Sequence, residues 1–226
     1  MVSLFDRLRA DCIEDWRSYT QHAFVKGMDD GTLPEAAFRD YLVQDYLFLI
    51  QFARAYALSI YKSRSVQEMR GGLGGLKAIL DVEMDLHVRL CAGWGIDAKQ
   101  LEATPEKAQT VAYTRFVLDA GNAGDLLDLY VALAPCMIGY GEIGKNLTPG
   151  GVERSGDQTP YAEWINEYAS AGYQQAAQDT VDLLDGLAGE MMTEERYPRL
   201  RSLFAAATRL EADFWQMGLD AVQNSA

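Results

Sequence analysis

The sequence predicts an all-α fold on three observations. Helix-start chemistry recurs along the chain, apolar residues recur at helical spacing between those starts, and no stretch shows a convincing strand pattern. Thr32-Leu33-Pro34-Glu35 reads as a capping box, with a hydroxyl placed to accept free backbone N–H groups and a proline in the first turn. Thr104-Pro105-Glu106 and Thr159-Pro160 repeat that logic, and Thr193-Glu194-Glu195 sets two acids in a first turn, where the helix dipole favours them. Phe38, Tyr41, Leu42, Tyr46, Leu49 and Phe52 share one helical face; Leu203, Leu210, Phe214, Trp215 and Met217 mark another. The spacing predicts helices over 4–21, 34–63, 67–92, 105–121, 124–147, 160–170, 173–189 and 194–222.

Leu129 to Tyr140 is nearly all apolar, contains Pro135 and falls well short of the roughly 20 residues that cross a bilayer, so it reads as a buried helix. The loop 145–159 is the one long polar connection, and the segment C-terminal to it is too short and amphipathic for a separate core. A single-domain helical bundle over 1–226 is therefore expected. Gly71-Gly72-Leu73-Gly74-Gly75 lacks the preceding strand and the Lys-Ser/Thr of a phosphate-binding loop, and is read as glycines that permit close helix packing or a break.

A net charge of −13 should repel phosphate backbones and anionic lipid, so neither nucleic acid nor a membrane is an expected partner. Asp6, Arg7, Arg9, Asp11, Glu14 and Asp15 interrupt what would be the apolar part of an export signal. Cys12, Cys91 and Cys136 are odd in number and widely spaced, which fits free thiols in a reducing cytoplasm.

Several side chains could carry chemistry. Pro135 should kink its helix and leave Cys136 in the first turn of a fresh segment, where the dipole favours a thiolate, with Tyr140 one turn on. Against this, a buried cysteine is often an inert small hydrophobe. Asp45 shares a face with Phe48, Leu49 and Phe52 and must be paired or hydrogen-bonded, either capping a neighbouring helix or binding an amine. Glu211 aligns with Phe214 and Trp215, so it is either a surface acid beside packed rings or a general acid with a raised pKa. Glu83 and His87, four apart, read as an ion pair rather than metal ligands, because a di-iron site of the ferritin kind needs more histidines than His22 and His87 supply. Tyr113, Tyr161, Tyr168 and Tyr173 offer polar handles around an aromatic ligand.

In their order these motifs resemble the TenA family, the thiaminase II type of aminopyrimidine aminohydrolase, in its cysteine-containing branch. The matching pieces are His22-Ala23-Phe24-Val25, Asp30-Gly31-Thr32-Leu33-Pro34, Phe38 through Phe52 with Tyr41-Leu42 and Gln44-Asp45-Tyr46, Glu83 with His87, Pro135-Cys136 with Tyr140 and Glu142, Tyr161 with Trp164-Ile165 and Tyr168, and Glu211 with Phe214-Trp215. The resemblance implies a heme-oxygenase-like bundle without heme or other cofactor, usually a homotetramer. It implies hydrolysis of 4-amino-5-aminomethyl-2-methylpyrimidine to the hydroxymethylpyrimidine and ammonia, with slow cleavage of thiamin. Carried over by motif, Cys136 is the nucleophile, Glu211 the general acid/base and Asp45 the anchor of the ring amino group. Tyr113, Tyr140 and Tyr168 line the site, and Phe48 and Phe214 flank the pyrimidine. Ala23 and Phe48 depart from the family's usual proline and tyrosine, the second removing a hydroxyl contact. A helical binding or regulatory protein without turnover, and a metal-dependent oxidase on the same architecture, are the competing expectations.

Overall fold

The computed structural model describes residues 3–223, so residues 1, 2 and 224–226 of the expected domain lie outside it. Among the described residues the chain is helical, with no strand. In order the helices are α1 (Leu4–Asp11), α2 (Ile13–Thr20), α3 (Ala23–Asp30), α4 (Glu35–Lys62), α5 (Val66–Ala78), α6 (Met84–Ala92), α7 (Ala98–Ala103), α8 (Ala108–Ala123), α9 (Leu126–Leu147), α10 (Ala162–Ala169), α11 (Ala171–Met191) and α12 (Tyr197–Gln223). A π-helical segment, Ile79–Glu83, joins α5 to α6, and a short 3-10 turn, Pro149–Gly151, comes after α9.

Three long helices, α4, α9 and α12, carry the architecture. The all-round apolar α9 is buried on nearly every face and packs against α8, α10, α11 and α12, while α4 packs against α5, α6, α8 and α12. α9 is the one described helix long and apolar enough to cross a membrane, but 94% of that stretch is buried inside the fold, so it is the central core helix. Its start is fixed by Asp125, whose carboxylate accepts from the backbone N–H of Leu127 and Asp128, while the Asp128 side chain accepts from Asp125 N–H at 3.0 Å. Gly144 lets α10 press onto α9, since a Cβ there would lie 2.5 Å from the Tyr168 carbonyl carbon.

Several expectations need correction. The helix expected over 4–21 breaks at Cys12 (φ −119°, ψ 30°), and α3 and α7 are additional short helices. Thr32 is not a cap: its hydroxyl donates to Asp30 at 2.6 Å, and α4 begins after Pro34 with no side-chain cap. α8 begins after Lys107 rather than at Pro105, again uncapped by a side chain. Thr159 spends its hydroxyl proton on the Met28 carbonyl at 2.7 Å while accepting from Tyr161 N–H at 3.3 Å, and α10 starts at Ala162. The stretch expected as one helix over 67–92 is interrupted by the π segment, a feature often found at functional sites. The glycine run does permit close packing: a Cβ on Gly72 would meet Ser59 Oγ at 2.6 Å, and one on Gly75 the Tyr56 ring at 2.2 Å.

Candidate active site

The candidate residues come from six places in the chain and converge. α4 supplies Asp45 and Phe48, the π segment and α6 supply Glu83 and His87, and α8 supplies Tyr113. α9 supplies Cys136 and Tyr140, α10 Tyr168, and α12 Glu211 and Phe214. All ten are buried. On α12, Glu211 and Phe214 are three apart and share an inward face; on α4, Tyr41, Asp45 and Phe48 follow the four-and-three rule that aligns side chains on one stripe.

At the centre the Cys136 thiol is buried within the influence of the Glu211 carboxyl, and the Tyr113 hydroxyl donates to Glu211 Oε1 at 2.8 Å. Burial pushes the thiol well above its ordinary value, reinforced by the charges of Glu211, Glu83 and Asp45. Glu211 is likewise pushed well up by burial and by Asp45, so its neutral acid form is favoured; the bond from Tyr113 opposes this only in part. The expectation that Cys136 opens a fresh helical segment is corrected here. α9 runs unbroken from Leu126 to Leu147 with Pro135 inside it, and the Tyr19 hydroxyl donates to the Pro135 carbonyl at 3.3 Å. Cys136 is thus mid-helix, and no helix terminus acts on its sulfur.

A second group surrounds Asp45. Its Oδ2 accepts from the Tyr41 hydroxyl at 2.8 Å and lies 2.7 Å from His87 Nε2, while His87 Nδ1 lies 2.7 Å from the Glu83 backbone carbonyl. Both ring nitrogens face acceptors, so both carry protons and His87 is an imidazolium. Burial alone would lower its pKa, but the Asp45 hydrogen bond and charge, with the Glu83 carbonyl, hold it above the ordinary value. The ion pair expected between Glu83 and His87 is therefore made by Asp45 and His87. The Glu83 carboxylate instead accepts from Tyr168 at 3.3 Å, and burial raises its pKa to about 7 despite the neighbouring imidazolium.

Rings close the cluster. Phe48 packs on Tyr113 (5.0 Å between centroids) and on Phe214 (5.5 Å), and Tyr140 packs on Tyr168 at 5.0 Å. The Tyr140 hydroxyl lies 3.4 Å from that of Tyr41, which also accepts from Trp164 Nε1 at 3.3 Å. Tyr161 lies apart, donating to the Leu33 carbonyl. A cavity of about 610 Å³ opens between α4, α5, α9 and α11. Tyr56 and Met137 are among its lining residues, and neither Cys136, Asp45 nor Glu211 is, so it does not contain the cluster. Among the described residues no group of three or more His, Cys, Asp and Glu is arranged to hold a metal ion.

Reading the sequence did not foresee Tyr41 and His87 as partners of Asp45, or the unpaired Tyr173 hydroxyl. The four-residue spacing of Tyr41 and Asp45 could have indicated the first. The 42 residues between Asp45 and His87 left no local trace of the second.

Helical layers of this kind define a heme-oxygenase-like architecture: a domain with that fold from Shewanella denitrificans superposes with a TM-score of 0.75 over 97% of this chain and 93% of its own, at 14% identity. Residues 10–221 match the TENA/THI-4/PQQC family, and the chain belongs to it. It is 39% identical to an aminopyrimidine aminohydrolase of Halalkalibacterium halodurans over 202 residues, covering 89% of each chain. A crystal structure described as a TenA family transcription regulator, from Silicibacter sp. TM1040, is 46% identical over 96% of each chain with a TM-score of 0.87.

Proposed function

We propose that the chain is an aminopyrimidine aminohydrolase of thiamin salvage. It converts 4-amino-5-aminomethyl-2-methylpyrimidine to the hydroxymethylpyrimidine and ammonia, with thiaminase II activity at the same site. The kinship with named aminopyrimidine aminohydrolases supports the reaction class. The observation that carries the residue assignment is the convergence of Cys136, Asp45 and Glu211 in one buried cluster, with Tyr113 donating to Glu211 and with Phe48 packed on Phe214.

The geometry suits nucleophilic addition to an electron-poor ring. Asp45 Oδ2 is occupied by Tyr41 and His87, which leaves Oδ1 to accept from the ring amino group. Glu211 in its acid form protonates a ring nitrogen and, now a carboxylate, takes the thiol proton as sulfur adds to a ring carbon. The exocyclic C–N bond of the substrate's ammonium form then breaks, its electron pair leaving on nitrogen as neutral ammonia. Water adds through oxygen to the methylene and gives its surplus proton to the ammonia, sulfur departs with the electrons of the C–S bond and takes its proton back from Glu211, and the ring-nitrogen proton returns to Glu211. Neither a Cys136 thiolate nor a Glu211 carboxylate has to persist before substrate binds. Tyr113, Tyr140 and Tyr168, all with hydroxyls pushed well up by burial, stay protonated and orient the acids and the substrate.

With this reading go one domain over 1–226, a cytoplasmic setting, a homotetramer, and small-molecule partners without nucleic acid or membrane. The charge of −13 weighs against nucleic-acid binding by this chain, although the Silicibacter structure is described as a transcription regulator. Incubation with the aminomethylpyrimidine, and separately with thiamin, should release ammonia and thiazole respectively. A pure protein that releases neither would refute the enzymatic reading in favour of a binding protein.

A further inference from the structure

Every candidate site residue is buried, so a pyrimidine has to reach the cluster through a wall of the bundle. The cavity of about 610 Å³ between α4, α5, α9 and α11 lies within the range of about 300–1,000 Å³ usual for small-molecule pockets, yet holds none of the three proposed reacting groups. Two features tie it to them. Tyr56 lines the cavity, its ring lies 6.1 Å from that of Phe52, and Phe52 stacks at 4.7 Å on Phe48 of the site. The four-residue spacing of Phe48, Phe52 and Tyr56 sets the three rings on one stripe of α4, running from the site to the cavity. On α9, the cavity-lining Met137 directly follows Cys136.

The outer wall, α5, is built to yield. Four of its 13 residues are glycine, each costing about 1 kcal/mol against alanine in a helix interior, and Gly72 is its one buried residue. Elements that open in a native protein are those with few buried apolar contacts. An exposed ion pair clasps the mouth: Arg64 lies 2.7 Å from Glu68 of α5 and 3.2 Å from Glu190 of α11, a kind of contact worth about 0–1 kcal/mol. At the inner end the α5 backbone presses on Tyr56, since a Cβ added to Gly75 would collide with that ring. Tyr56 therefore keeps its place only while α5 keeps its own.

We propose that this cavity is the passage by which a pyrimidine enters and leaves the buried site, with Tyr56 as its inner gate and α5 as the wall that moves to free it. The inference rests on the aminopyrimidine reading of the site. When α5 draws back, Gly75 no longer pins the Tyr56 ring, which turns aside from Phe52 and opens the stripe leading to Phe48. When α5 returns, the gate closes and bulk water is shut out during the reaction.

The test plugs the passage without touching the reacting groups. Gly74 and Gly186 both line the cavity, and a Cβ added at either meets no atom within 4 Å, so Gly74→Phe and Gly186→Phe have room for a ring. The probe is 4-amino-5-hydroxymethyl-2-methylpyrimidine, mixed with the protein in a stopped-flow instrument and followed by tryptophan fluorescence. Association and dissociation should both slow about tenfold or more in the doubly substituted protein, while Kd changes by less than about threefold, because a blocked path alters rates and not the bound state. Tyr56→Leu, which shortens the gate, should bind the probe about threefold faster or more. An unchanged association rate in the plugged protein, or a weaker Kd with association unchanged, overturns the passage; unchanged or slower association in Tyr56→Leu overturns the gate. Failure of the parent protein to bind the probe sinks the functional reading itself, whereas binding by the parent with unaltered kinetics in the plugged protein sinks only the passage. Each glycine is also substituted alone, and thermal unfolding identifies the variants that keep the fold.

Discussion

Replacing His87 with leucine tests whether the buried ion pair organises the site. His87 is wholly buried and Asp45 is 3% exposed, so the change strands a carboxylate with only the Tyr41 hydroxyl, 2.8 Å away, as donor. Breaking one side of a buried pair costs about 3–5 kcal/mol, because the remaining charge is left uncompensated. For a chain of this size each kcal/mol lowers the melting temperature by about 2–4 °C, so a fall of about 6–20 °C is expected by calorimetry. The double variant Asp45→Asn/His87→Leu removes the stranded charge too, and should lose less than the two single variants together, by about 0.5–3 kcal/mol. The pH dependence has a definite sign. His87 has a raised pKa in the folded state, so its contribution is fully present below about 6.5 and fades as pH climbs through the raised value. The gap between parent and His87→Leu should therefore narrow from pH 6.5 upward. A loss under about 1 kcal/mol, or a gap that widens with pH, would refute the pair's role.

Two more outcomes concern the buried acids and the thiol beside them. Glu83 is raised from 4.5 to about 7, so the folded protein holds an extra proton in that window and loses stability as pH rises across it, on the order of 3 kcal/mol. Glu83→Gln should flatten that part of the curve of urea-derived stability against pH, and an unchanged slope would contradict the assignment. The Cys136 thiol, pushed up by burial and three acids, should be alkylated slowly in the ligand-free protein until the medium is well above pH 9, with peptide mapping separating it from Cys12 and Cys91; a titration midpoint below 7 would show that a thiolate pre-exists.

Long helices were the legible part of the fold. The spans expected over 34–63 and 124–147 match α4 and α9 to within two residues at each end, because a continuous apolar stripe over so many turns has no other reading. Helix starts misled where the same chemistry serves a turn. Thr32 and Asp30 bond to each other across the α3–α4 connection, and Thr159 ties the loop before α10 back to Met28. The capping boxes that do form, at Asp97 and Asp125, carry Gln or Asp at the third helical position in place of the Thr-led pattern. In the site, Cys136, Asp45 and Glu211 were legible as a set only through the family resemblance, since each is locally an ordinary buried residue. What no local pattern could reveal is pairing across the bundle, Asp45 with His87 and Glu83 with Tyr168, or that α9 continues through Pro135 as one helix. Those outcomes depend on how α4, α6, α9 and α10 pack, not on spacing within any of them.

The assignment of the sulfur as nucleophile is tested most directly by comparing turnover and binding in Cys136→Ser. With the aminomethylpyrimidine, ammonia release should fall by about a thousandfold or more in kcat/KM, while the Kd for the hydroxymethylpyrimidine product changes by less than about threefold. Near-parent turnover in the serine variant, with ligand still bound, would contradict covalent chemistry at Cys136.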